Sequence, residues 1–302
     1  MTEERVNKYD AANSAVSATF KLRNGNLIPQ LGLGTWLIDN DKVKRVVVDA
    51  LKMGYRLIDT AQAYDNEEGV GEGIRESGVD RKDIYLTSKI RAEYKTYDEA
   101  RRSIDESLQK LGTDYLDLML IHCPQPWDEY GSDNHYYAEN LEVWKALEDA
   151  FREDKVRAIG VANFGKADLQ NILDHAVEMP FVDQVLTHAG HTDLDLLEFI
   201  KQSDMQAEAH SPMGHGEVLQ NPVLVELAHK YGCSVASLCI KYTIELGCVA
   251  LPKATSWEHL EDNMNTHFEI DPKDMDTLKH LKIEDYGESA QFPCYSKAPK
   301  IA

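Results

Sequence analysis

Positive charge is scarce in this chain. Of 302 residues, 32 are Lys or Arg and 52 are Asp or Glu, so the net charge is −20, and no basic run interrupts the acid excess. Such a chain repels nucleic-acid phosphates and anionic lipid surfaces, so no nucleic acid and no membrane is expected as a partner. Long apolar runs are missing as well. No stretch of about 18 uninterrupted apolar residues occurs, which argues against a transmembrane helix. Residues 1–17 are polar and charged, unlike a secretory leader, so they are expected to be flexible and the protein cytoplasmic. Cysteine is sparse. Cys123, Cys233, Cys239, Cys248 and Cys294 form no CxxC pair and no zinc-like spacing, which leaves reduced, mostly buried thiols. Linker-like Pro/Gly/Ser tracts, low-complexity segments and a fixed repeat period are all lacking, so nothing divides the chain into separate units.

What is present is a core. Hydrophobic residues make up 43% and charged residues 28%, a mixture that folds, at a length suited to two ordinary domains or one large α/β barrel. Phe20-Lys-Leu-Arg, the turn dipeptide Asn24-Gly25 and Asn26-Leu-Ile predict a β-hairpin over 18–30. Short apolar runs then predict strands at 31–33, 56–58, 84–87, 116–121, 158–161, 181–185, 206–209 and 249–251. Amphipathic stretches between them predict helices at 41–53, 66–77, 97–111, 139–153, 167–176, 194–201 and 222–246, the last broken near Gly232. Eight such strands alternating with helices fit one (β/α)8 TIM barrel across the chain, with the hairpin before it and a tail over 284–302. The competing open, doubly wound sheet normally carries GxGxxG. Here Gly32-Leu-Gly34 continues as Thr-Trp-Leu, and Gly71-Glu-Gly73 lacks the spacing.

In a parallel barrel the chemistry sits where the strands end. Those positions hold Asp59 (with Tyr64 five residues on), Lys89, His122, Asn163, Gln184, His210 and Lys253. Any one of them alone reads as a solvated or structural residue. Together, in an apolar mouth, they would shift one another's proton affinities. An ammonium at Lys89 beside Tyr64 is expected to favour the phenolate and lower a phenol pKa that starts near ~10. Asp59 would keep Lys89 charged, and His122 could donate to a carbonyl oxygen. This equipment protonates an alkoxide as it forms, as carbonyl reduction by an external hydride requires.

The chain resembles the aldo-keto reductases. The matching pieces, in family order over about 20–270, are Gly32-Leu-Gly34-Thr-Trp36, Asp59-Thr-Ala-Gln-Ala-Tyr64-Asp-Asn-Glu67, Thr87-Ser-Lys89, Asp117-Leu-Met-Leu-Ile-His122-Cys-Pro124 and Gly160-Val-Ala-Asn163-Phe. Asp183-Gln-Val185, Ser211-Pro-Met-Gly214, Pro252-Lys-Ala-Thr and Glu261-Asp-Asn263 continue the series. The resemblance implies reduction of an aldehyde or ketone by NADPH without metal, in a chain expected to be monomeric, an oligomer remaining open. It makes Asp59, Tyr64, Lys89 and His122 the catalytic set, with Tyr64 the general acid. It assigns the cofactor to Gly34, Thr35, Trp36, Ala162, Asn163, Gln184, His210, Ser211, Pro212, Met213, Lys253, Ala254, Thr255, His259, Asp262 and Asn263. Within that set Ala162, Asn163 and Gln184 would face the carboxamide, His210 the ring, Lys253, Thr255 and His259 the 2′-phosphate, and Asp262 and Asn263 the adenine. Trp36, Tyr64, His122 and Trp127 would meet the substrate. The loop 124–140 reads as a pocket wall, and the tail, with Phe292, Cys294 and Tyr295, is expected to shape the pocket. The sequence departs from the family pattern at Ala162 (usually Ser), at His210 (usually Tyr or Trp), at Cys123 (often Trp, so a wider pocket is expected) and at His259 (usually Arg).

Three other readings compete. Gly160-Val-Ala-Asn-Phe-Gly165-Lys166 approaches a phosphate-cradling P-loop, but Ala167 offers no hydroxyl for Mg²⁺. His188, His191, His210 and His215 cluster in two loops as in a metal-dependent hydrolase, without an HxH at the first strand. A cofactor-binding sensor could also use this fold without turnover. The His259 departure yields a prediction. Arg offers a permanent bidentate charge to a phosphate and His does not, so NADPH should be preferred over NADH only weakly and NADH should remain usable. Fluorescence titration with both cofactors checks this, and a preference above about a thousandfold would overturn it.

Overall fold

The structure is a computed structural model that describes residues 14–296. Strands β1 (Thr19–Lys21) and β2 (Leu27–Pro29) pair antiparallel as the expected hairpin. Its turn needs a left-handed residue, and Gly25 supplies one at φ 90°. Arg23 donates from its guanidinium to the carbonyls of Met179 and Asp204, and the Asn24 amide donates to that of Arg157. Those carbonyls belong to segments leading into barrel strands, so the hairpin covers the end at which the strands begin. Of the stretch expected to be flexible, Ser14, Ala15 and Val16 are described and are buried, with the Ala15 N–H donating to Thr266 Oγ1. Residues 1–13 and the tail beyond 296 lie outside the described residues.

Eight parallel strands follow: β3 (Leu33–Gly34), β4 (Leu57–Asp59), β5 (Tyr85–Ile90), β6 (Leu118–Ile121), β7 (Ile159–Ala162), β8 (Val182–Leu186), β9 (Gln206–His210) and β10 (Val249–Leu251). They are hydrogen-bonded in sequence order, each beside the next. The ring is joined by a parallel bridge between Leu31 and Ala250 and by the Gly34 N–H donating to Pro252 O at 3.0 Å. The strands are short and buried on both faces, which is why they read as near-continuous apolar runs. The first expected strand lies two residues late, because Leu31 makes only that single bridge.

Helices α1 (Asn40–Met53), α2 (Glu67–Ser77), α3 (Tyr97–Leu111), α4 (Tyr137–Arg152), α5 (Lys166–His175), α6 (Leu194–Gln202), α7 (Pro222–Tyr231) and α8 (Val235–Glu245) surround the barrel. Helix α1 buries Val43, Val46, Val47, Ala50 and Leu51, one stripe at helical spacing, and stops at Gly54 with φ 117°. Helix α3 opens with a capping box between Thr96 and Glu99. The expected break near Gly232 separates α7 from α8 at an angle of 87°. Among the described residues no single helix is long and apolar enough to cross a membrane. Helices α9 (Trp257–Asn263), α10 (Pro272–His280) and α11 (Pro293–Ser296) were not expected, because each carries too few apolar residues to show a repeating apolar face.

Helix α2 follows directly on the turn that carries Tyr64, and its glycines let it lie close to its neighbours. A Cβ on Gly71 would stand 2.2 Å from the backbone oxygen of Leu111 at the end of α3. Gly71→Ala must therefore push α2 away from α3, and a loss of about 1–3 kcal/mol is expected. Chemical denaturation measures it; an unchanged midpoint would show that α2 is not tightly seated.

Candidate active site

The ends of three strands, β4, β5 and β6, bring one set of polar side chains together. Asp59 closes β4, Lys89 lies in β5, His122 follows β6, and Tyr64 ends a single 3₁₀ turn, Gln62–Tyr64. That turn is held from behind by Asn66, which accepts from the Thr60 hydroxyl and donates its amide to the carbonyls of Thr35 and Ile38. The Lys89 ammonium, 0% exposed, donates to Asp59 Oδ1 at 2.6 Å, to the Thr60 carbonyl at 3.0 Å and to the Tyr64 hydroxyl at 3.3 Å. All three of its N–H bonds are used. Burial alone would strip a proton from Lys89, but Asp59 and Tyr64 outweigh it and hold its pKa above the ordinary range.

Tyr64 corrects the expectation from sequence. Burial raises its pKa, and Lys89, although it pulls the value down, does not win. Tyr64 is therefore a neutral phenol near neutral pH. The His122 ring meets Tyr64 and Trp127 edge-on, at centroid distances of 5.5 and 5.2 Å. Burial, then Lys89, pushes its pKa well below the usual imidazole value, so it is uncharged, and its Nδ1 has no partner among the described residues.

A second chain of bonds crosses the mouth. Asn163, in the left-handed region at φ 61°, donates its amide to the His122 carbonyl at 2.9 Å. Its Oδ1 accepts from His210 Nε2 at 2.9 Å. Burial holds His210 down to about 3, so the ring is neutral and that bond fixes its tautomer. Gln184 spends both amide N–H bonds inward, on Asp59 Oδ2 at 2.9 Å and Glu208 Oε2 at 2.7 Å. Its own Oε1 is left as an acceptor towards the cavity.

That cavity measures about 710 Å³. Of the residues expected at the site, Gly34, Trp36, Asp59, Tyr64, His122, Trp127, Asn163, Gln184, His210, Ser211, Pro212, Met213, Lys253, His259, Asp262 and Asn263 line it. Lys89, Thr35, Ala162 and Ala254 are buried behind the wall, and Thr255 is exposed outside it. Cys123 is fully buried and does not itself line the cavity. Phe292 and Cys294 from the tail do line it, as does Trp127 from the 124–140 loop. Sequence reasoning missed Ala63, Leu219 and the start of α8, where Ser234, Val235 and Ala236 reach the cavity and the Ser234 hydroxyl donates to Asp262. A Ser before an apolar helical run was the available signal. The histidines considered as metal ligands have separate partners. His188 bonds the Ala189 carbonyl and faces Tyr286, and His215 donates from Nδ1 to the Ser289 hydroxyl. Among the described residues no group of three or more His, Cys, Asp or Glu side chains is placed to hold a metal.

An eight-stranded α/β barrel with its polar residues gathered at the strand ends is the architecture of a barrel enzyme. A sequence model of the aldo/keto reductase family matches residues 30–283, and the chain belongs to that family, a family of oxidoreductases. It is 37% identical over 274 residues to the glyoxal reductase of Bacillus subtilis, covering 90% of this chain and 95% of that one. An aldo/keto reductase structure from Brucella melitensis superposes with a TM-score of 0.81 at 38% identity, covering 88% of this chain and 99% of the other. A Bombyx mori aldo-keto reductase solved in complex with NADP superposes at 0.79 with 29% identity, covering 92% and 98%.

The Lys89–Asp59 pair generates a stability prediction. Replacing Lys89 by Met leaves a buried carboxylate without its cation, at a cost of about 3–5 kcal/mol, and adding Asp59→Asn should recover most of that loss. Chemical denaturation of both variants checks it; equal stability of the single and the double variant would overturn it.

Proposed function

We propose that this protein acts as one catalytic unit that reduces the carbonyl group of a small aldehyde or ketone to an alcohol, using NADPH, with Tyr64 as general acid. The observation that carries this reading is the buried Lys89 ammonium bonded to both Asp59 and the Tyr64 hydroxyl at the floor of the cavity.

The residues present suit a nicotinamide dinucleotide. The free Gln184 Oε1 matches a carboxamide N–H, and the N-terminus of α8 and the exposed Lys253 suit phosphate oxygens. Asn163 and Gln184 would hold the carboxamide, Ser211, Pro212 and Met213 the pyrophosphate, Lys253 and His259 the 2′-phosphate, and Asp262 and Asn263 the adenine. When bound, the reduced nicotinamide supplies a hydride to the carbonyl carbon.

The chain does the rest. The Tyr64 hydroxyl and the neutral His122 ring orient the carbonyl oxygen from one side. Trp36, Trp127 and Phe292 keep water from the reacting carbon. As negative charge grows on the oxygen, Tyr64 gives up its proton. The phenolate left behind is stabilised by Lys89, which Asp59 keeps charged. A raised pKa suits this direction, since a general acid must hold its proton until the reaction calls for it. Lys89 serves the phenol rather than the ligand, because Asp59 already balances its charge and it has no exposed surface.

Tyr64→Phe removes the proton and keeps the ring. Carbonyl reduction, followed by loss of reduced-nicotinamide absorbance over a panel of aldehydes, ketones, dicarbonyls and sugars, should fall about 10²–10⁴-fold. NADPH affinity, measured by fluorescence, should stay close to that of the parent. Full activity in the variant would overturn the role given to Tyr64, and a parent that binds cofactor but reduces nothing on the panel would favour a sensor.

A further inference from the structure

One buried ionisable group has no part in the reaction outlined above. Glu208, in β9, is 0% exposed. Its Oε2 accepts from the Gln184 amide, while its Oε1 has no partner among the described residues. Two hydroxyls in the same barrel interior, Thr87 Oγ1 and Tyr85 OH, are also without partners. Both lie on β5 below Lys89, on the strand face that Lys89 shares.

We propose that Glu208 is a positioning residue for the reduction described above: in its protonated form it seats the Gln184 amide that holds Asp59, and so keeps the Asp59–Lys89–Tyr64 array electrically balanced. The inference rests on that reading for the reaction it serves.

Charge counting supports it. The groups that face Glu208 are Asp59 from β4, Lys89 and Tyr85 from β5, and Gln184 from β8, with Asp183 as a further carboxyl on β8 and apolar Val249 opposite it in β10. Among them Lys89 is the one cation, and Asp59 already neutralises it. An ionised Glu208 would be a second carboxylate against a single ammonium, with one oxygen bare in a dry interior. A carboxylic acid removes the excess charge. Burial, and then Asp59, push Glu208 up to about 8, within reach of ordinary alkaline conditions.

The link to chemistry runs through Gln184. Its two N–H bonds tie the two carboxyl groups together, so Glu208 cannot change charge without Asp59 feeling it. When Glu208 releases its proton to solvent, the added negative charge makes Tyr64 and Lys89 hold their own protons more tightly, and Tyr64 becomes a weaker acid. The step should appear in kcat more than in KM, since Glu208 does not itself line the cavity and meets it only through Gln184.

The decisive comparison is the pH profile of carbonyl reduction in the parent and in Glu208→Gln, which cannot ionise. The parent should lose kcat through a one-proton step with a midpoint near about 8, and Glu208→Gln should lack that step. A merely structural role would lower the rate of the variant equally at every pH, so a step that persists at the same midpoint overturns the proposal. A second arm needs no turnover. Because the folded pKa is raised, the stability Glu208 contributes is complete below the ordinary carboxyl value of 4.5 and is lost as pH rises through about 8. The melting temperature of the parent relative to Glu208→Gln should therefore fall over that window. A double-mutant cycle with Asp59→Asn should show coupling that grows from about pH 7 to about pH 9. A flat difference and no coupling would overturn the placement of the proton. A parent inactive on every carbonyl would count against the proposed reaction, and the stability arm would still decide where Glu208 keeps its proton.

Discussion

A single ammonium group without water organises this protein. Moving a lysine head group out of solvent costs several kcal/mol unless its charge is met and its donors are filled. Lys89 meets that demand with a carboxylate, a carbonyl and a phenol, one for each N–H. Those three partners come from β4 and from the turn that follows it, so the ion pair is satisfied only when neighbouring strands are in register. Asp59 pairs with Thr87 across the β4–β5 ladder, which places its side chain two residues from Lys89 along the strand. The geometry needed for chemistry and the geometry needed to bury the charge are the same geometry.

Around that pair the mouth is tied by polar bonds that reach across the barrel. Asn163 joins β7 to the backbone after β6 and to the last residue of β9, and Gln184 joins β8 to β4 and β9. Each of these side chains holds a neighbour and also faces the cavity. The acid excess of the chain is spread elsewhere. Many of its carboxylates sit on outer helices in exposed pairs such as Lys44 with Glu72 and Glu76, which add little stability and keep the surface charged. The exposed cation at the cavity is Lys253, so an anionic ligand meets one positive rim residue on an acidic body.

Much of this was legible in the chain itself. Buried parallel strands advertise themselves as short apolar runs, and the residue at the end of each run must lie at the mouth, so Asp59, Lys89, His122, Asn163, Gln184 and His210 could be named from position. Other features depend on quantities that one dimension does not carry. The direction of the Tyr64 shift turns on how deeply the phenol is buried, and adjacency to Lys89 pointed the wrong way. Val235 and Ala236 reach the cavity because α8 begins beside it, at a distance along the chain that no local pattern encodes. Glu208 sits in a strand that looks merely apolar with one interruption, and its meaning lies in what Gln184 does with its second N–H.

The backbone at the mouth tells a different story from the backbone of the strands. Leu37, Asp65, Asn163, Ser211 and His215 all carry positive φ, and each is a cavity residue or the immediate neighbour of one. Left-handed conformations in side chains with a Cβ are disfavoured by roughly 1–2 kcal/mol each. The barrel staves can exchange one apolar residue for another with small penalties, whereas the rim is held in postures its residues would not choose in isolation. Selection for a more robust fold and selection for a working mouth therefore act on separate parts of the chain. Heat or denaturant should loosen the rim before the staves, so the protein would lose its shape for ligands while it still looks folded.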